Sequence, residues 1–179
     1  NRIIALGEKI DDFDDSQELL VELIARHIKD QNLAKAEEIV QSVNSPMITA
    51  FYYFIRAEIA QKSGDMASAA TELLSAKPFL LQVDNAEMRT GGLREIGEML
   101  HKMGDSEAAR QLYLQSAVEA KALVPGKRLQ ALRRCARELY RVGAEQDASE
   151  LLEMAASELD TISDNEELLR IVSDLATEA

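Results

Sequence analysis

The chain has 179 residues, 46% of them hydrophobic, with 4% aromatics, 3 prolines and no tryptophan. That is ample for one core or a stack of repeats, and 29% charged residues of mixed sign exclude a disordered tail. A net charge of −12 argues against a surface that grips nucleic acid or acidic lipid throughout.

In chain order, apolar spacing of period 3.6 predicts helices over 2–10, 15–30, 32–43, 47–63, 66–77, 86–103, 106–123, 127–142, 145–159 and 164–178, with no strands. Pro46 and Pro125 are expected in the connections between helix pairs, and Pro78 is expected to end its helix early, with Phe79 to Val83 forming an extra turn. Asp15 and Asp164 read as helix N-caps, with Glu18 and Glu167 completing capping boxes. The acidic run Asp11 to Asp15 lacks the glycine and ligand spacing of a calcium loop and reads as caps and solvated charge. The most apolar window, Ile48 to Ala60, is broken by Arg56 and Glu58 and is too short to span a membrane. The single cysteine, Cys135, excludes a disulfide within the chain, which fits a reducing compartment and a cytoplasmic location.

Three stretches repeat one another: Gly64-Asp65-Met66-Ala67-Ser68-Ala69, Gly104-Asp105-Ser106-Glu107-Ala108-Ala109 and Gly143-Ala144-Glu145-Gln146-Asp147-Ala148. A weaker copy runs from Gln31 to Ala36. The starts at 31, 64, 104 and 143 give steps of 33, 40 and 39, a period that marks a stacked helical array. Each glycine is expected to end a helix in the left-handed conformation, with Lys62, Lys102 or Arg141 two residues before it. Leucine or isoleucine follows on a helical stripe at Ile39, Leu73, Leu112 and Leu151.

These residues resemble tetratricopeptide (TPR) repeats, best in the set Gly97, Gly104, Ala109 and Tyr113, with further sets at Gly143, Ala148, Ala155 and at Gly64, Ala69, Ala76. The family's proline at the repeat end is missing, and its large aromatic early in the first helix survives as Tyr53. The resemblance implies an all-α fold, a right-handed superhelix of about four antiparallel helix pairs with a concave groove, and peptide or protein binding without catalysis. It covers 1–179 as one domain, with repeats at approximately 15–45, 47–84, 86–124 and 127–162 and partial repeats at 1–12 and 164–179. The pattern opens inside a repeat at Asn1 and closes where the next turn would fall, so the chain reads as a piece of a longer array.

Residues at fixed offsets before each turn should line the groove. Ten before are Phe54, Arg94 and Arg133; six before are Glu58, Glu98 and Arg137; three before are Gln61, His101 and Tyr140; two before are Lys62, Lys102 and Arg141. Between Lys121 and Arg141 seven cations accompany one acid, Glu138, a local charge of +6. Arg133, Arg137 and Arg141 share one helix face, where like charges repel unless something compensates them. An acidic peptide, a carboxylate or a phosphate would suit arginine's bidentate geometry; the alternative is pairing with Glu98 and Glu58, or simple solvation. Phe51, Tyr52, Tyr53 and Phe54 point about 100° apart in succession, so one core cannot bury all four, and Phe51 and Phe54 are candidates for an apolar anchor.

The expected ligand-binding set is therefore Arg94, His101, Arg133, Arg137, Tyr140, Arg141, Phe51 and Phe54. No enzyme, cofactor or metal site is expected: His27 and His101 have no companions at ligand spacing, Cys135 lies on an apolar stripe, and Gly126-Lys127 lacks the rest of a phosphate loop. The alternative function is a self-assembly or sensor segment of a larger bacterial regulatory protein, associating through exposed terminal helices. Nucleic-acid binding through 121–141 is disfavoured by the acidic remainder of the chain.

Overall fold

In a computed structural model of the protein, the described residues are 15–159. The predicted helices 2–10 and 164–178, the partial repeats, the acidic residues 11–14, the Asp164 cap and the side chain of Asp15 lie outside that description. Every element among the described residues is helical. The chain forms two compact units, one through Asp84 and one from Asn85.

The N-terminal unit contains α1 (Asp15–Lys29), α2 (Leu33–Val43), α3 (Pro46–Lys62) and α4 (Met66–Leu80). The C-terminal unit contains α5 (Ala86–Lys102), α6 (Ser106–Glu119) with a 3₁₀ turn over Ala120–Ala122, α7 (Pro125–Arg141) and α8 (Glu145–Leu159). Helices adjacent in sequence pack as pairs: α1 with α2, α3 with α4, α5 with α6, α7 with α8. Their short connections leave room only for reversal, so each pair is antiparallel. Between pairs, α3 packs on α1 and α2, and α7 packs on α5 and α6.

One device makes all four reversals. The backbone N–H of Asn32, Asp65, Asp105 and Ala144 returns to the carbonyl five residues earlier, at 2.8, 3.0, 3.0 and 2.9 Å. The residue before each of these has a positive φ, at Gly64, Gly104 and Gly143 and, without glycine, at Gln31. This is a Schellman end, and it satisfies carbonyls that the helix leaves open. Asn32, Asp65 and Asp105 then cap the next helix, each side chain accepting from the backbone N–H three residues on. Four residues after each cap position lie Ala36, Ala69, Ala109 and Ala148, all buried.

The prolines differ from expectation. Pro46 and Pro125 open α3 and α7 as their first residues, where a missing N–H costs nothing. Pro78 does not end α4, which continues to Leu80. The carbonyl that Pro78 leaves unbonded belongs to Leu74, whose residue is exposed, so water can serve it. Val40 rather than Ile39 takes the core position in α2, and Ile39 is half-buried. In the C-terminal unit Gly97 admits the Tyr113 ring: a Cβ on Gly97 would lie 2.5 Å from Tyr113 Cε1.

Candidate protein-binding surface

The C-terminal unit places Arg94 and His101 on α5 and Arg133, Arg137, Tyr140 and Arg141 on α7. The N-terminal unit places Phe51 and Phe54 on α3. Phe51 and Phe54 are 7% and 9% exposed, so the expected apolar anchor is core. Four aromatics in succession are accommodated because α3 is packed on several sides, by α1, α2 and α4. Tyr53 stacks on Phe79 of α4 at 5.6 Å, and the Tyr52 hydroxyl donates to Glu37 of α2 at 3.0 Å. Arg56 ties this cluster together, donating to the Tyr52 hydroxyl at 2.7 Å and pairing with Glu72 of α4 at 2.5 Å. Burial, and the Glu37 carboxylate beyond it, push the Tyr52 phenol above its ordinary range despite Arg56.

The chemistry changes along the repeated helices. Six residues before the turn glycine stands an acid in α3 and α5, and a cation in α7. Glu58 accepts from Lys62 at 3.0 Å, and Glu98 holds Arg94 with Lys102 at 3.9 Å, each within one helix. In α7 that position is Arg137, and the acid has moved one residue to Glu138. One step is 100° around a helix, so the carboxylate turns to the core side and is 4% exposed. Arg141 Nη1 donates to both Glu138 oxygens, at 2.9 and 3.0 Å, and Arg137 Nε donates to one at 3.4 Å.

Glu138 therefore pins two guanidiniums whose side chains remain 46% and 58% exposed. Each arginine has five donors, so directions remain for an external acceptor. Tyr140 lies between them in sequence and is 66% exposed. His101 is half-buried, with Nδ1 3.0 Å from Ser106 Oγ, and Arg133 is also half-buried. The Tyr113 ring is buried against Gly97. Burial, then the Glu138 and Glu98 carboxylates, hold its phenol well above the ordinary range and so keep it protonated. Glu98, Glu138 and Arg94 thus converge on one buried tyrosine.

The pinning role of Glu138 is not apparent from its charge alone. Its signal is position: it falls three residues after Cys135, on the buried stripe, where an acid needs a partner. Cys135 is buried and donates to Ser116 Oγ at 3.3 Å, and burial raises its thiol pKa, which opposes thiolate chemistry. Among the described residues no cluster of three histidine, cysteine or carboxylate groups could hold a metal ion, and no helix is long and apolar enough to cross a membrane.

No protein-family model matches the chain, and no curated protein matches it. Among solved structures it is similar to a Signal Transduction ATPase with Numerous Domains (STAND) protein with a tetratricopeptide repeat sensor from Pyrococcus horikoshii. The TM-score is 0.51 at 22% identity over 87% of this chain. The chain spans 26% of that protein's length. With the paired helices and repeated turns described above, this likeness establishes the fold as an all-α, TPR-like helical repeat.

Proposed function

We propose that the protein is a non-catalytic binding module whose recognition surface is the exposed face of α7, taking a peptide or helical segment that carries carboxylates. The observation that carries this is the Arg137–Tyr140–Arg141 patch: two cations fixed on the buried Glu138 and flanking an exposed aromatic. Arginine and tyrosine are the residues in which binding energy concentrates, and fixed side chains lose little entropy on association. Arg94 and His101 of α5, with Arg133 of α7, extend the set in the same unit. The location we assign is the cytoplasm, where the lone Cys135 stays reduced.

The test is capture from a lysate at low and high salt by the native chain and by an Arg137→Gln/Arg141→Gln variant. Glutamine keeps a donor for Glu138 and removes the charge. A partner bound by the native chain, weakened by salt and lost by the variant, supports the reading. Capture that neither salt nor the variant alters contradicts it.

A second reading is a sensor repeat segment within a larger regulator. It is favoured by the likeness, over 26% of that protein's length, to a signal-transduction ATPase that has a tetratricopeptide repeat sensor. It predicts concentration-dependent self-association that survives high salt, read by sedimentation velocity.

A further inference from the structure

A cleft of about 190 Å³ opens between α5 and α7, with Ser116 of α6 among its lining residues. Its lining includes none of Arg137, Tyr140 and Arg141, and it shares Arg94 with the wider set proposed above. Two observations mark it as unfilled. A Cβ on Gly91, which lines it, would meet nothing within 4 Å. Thr90, also in the lining and 5% exposed, has a buried Oγ1 with no hydrogen-bond partner among the described residues. Thr49 and Thr71 show what is usual on these helices: each hydroxyl donates to the carbonyl four residues back, at 2.9 and 3.0 Å. A buried hydroxyl without such a bond is costly to keep unless a ligand or water meets it.

The charge of the lining identifies the class of ligand. Arg94, Lys127 and Arg134 face a single carboxylate, Glu87. Lys127 pairs with Glu87 across the two helices, and Arg94 pairs with Glu98, leaving further donors on Lys127 and Arg94. Guanidinium groups prefer planar or tetrahedral oxyanions. The volume lies below the roughly 300–1,000 Å³ usual for drug-sized ligands, which selects a small one.

We infer that this cleft binds a small free oxyanion, a carboxylate or phosphate no larger than a short organic acid, held by Arg94, Lys127 and Arg134 with the Thr90 hydroxyl as an additional contact.

The test is a ¹H–¹⁵N NMR titration with sodium phosphate and, separately, sodium acetate, each against sodium chloride at matched ionic strength. Expected are saturable shifts confined to 87–94 and 127–135 that chloride does not reproduce. Saturation by phosphate alone assigns a phosphoryl ligand, and by acetate alone a carboxylate. Thr90→Val should weaken binding at least several-fold, and Gly91→Leu, which fills the cleft, should abolish it while the helical circular dichroism is retained. The absence of saturable shifts with both anions, or equal shifts with chloride, would overturn the inference. So would native affinity in a folded Gly91→Leu variant. Should Gly91→Leu not fold, unchanged affinity in Thr90→Val together with dispersed shifts would overturn it as well.

Discussion

The two units use the same helix-pair plan, and Arg56 in one is placed differently from Arg137 and Arg141 in the other. In the N-terminal unit Arg56 lies among aromatics and joins α3 to α4, with Glu37 of α2 only 3.8 Å away. In the C-terminal unit Arg137 and Arg141 bond within their own helix, to one buried acid, and stay largely exposed. An arginine bonded across helices holds a fold together; one bonded back to its own helix is free to present charge outward. A count of arginines therefore says little until the partners are known.

Substitutions can break that contrast. Arg56→Ala should cost roughly 1–3 kcal/mol, because it leaves the Glu72 carboxylate without this partner and removes the donor to the Tyr52 hydroxyl, which keeps only its bond to Glu37. Urea unfolding followed by circular dichroism measures it, and a neutral result would remove the structural role assigned to Arg56. Gly97→Ala should cost about 1–2 kcal/mol: crowding against buried Tyr113 outweighs the gain in helix propensity. On the same helix Gly91→Ala should stabilise by about 0.5–1 kcal/mol, since its new methyl meets open space.

The reversals offer a finer comparison. Gln31 takes a left-handed φ of 59° where the later copies have glycine. Gln31→Gly should therefore stabilise by roughly 0.5–1 kcal/mol, whereas Gly104→Ala, at φ 92°, should cost about 1 kcal/mol. Differential scanning calorimetry of the two variants should show melting shifts of opposite sign. The smallest effect concerns pH. The Ser68 hydroxyl and backbone N–H hold the Asp65 carboxyl below its ordinary range. A group depressed on folding contributes stability above its unfolded pKa, near 3.9, and loses it as pH falls through the folded value. The stability gap between native and Asp65→Asn protein should therefore close on acidification; a gap constant with pH would contradict the cap's charge-dependent role.

The helices and turns were legible in the sequence because each rests on local chemistry. The Gly–Asp steps carry both the left-handed end and the following cap, and the alanines mark close approach. Proline misled because its effect depends on position: opening a helix it is benign, and near the exposed end of α4 it is tolerated. The candidate surface was legible only in its exposed cations and tyrosine. Arg137, Tyr140 and Arg141 follow from their offsets, and all three side chains are exposed. Phe51 and Phe54, expected to reach a second surface, are buried, because spacing along one helix cannot show how many neighbours surround α3. The node at Arg56 and the pin at Glu138 were missed for the same reason, since pairing across helices and burial of a charge depend on packing.

The most direct test of the account is the affinity of the captured partner's acidic segment for native and Tyr140→Ala protein, read by fluorescence anisotropy with the unfolding midpoint measured alongside. Tyr140 is 66% exposed, so its truncation should leave stability within about 0.5 kcal/mol. The account predicts an affinity at least tenfold weaker with an unchanged midpoint. Unchanged affinity in a stably folded variant would mean that the face of α7 is solvated charge and that recognition lies elsewhere.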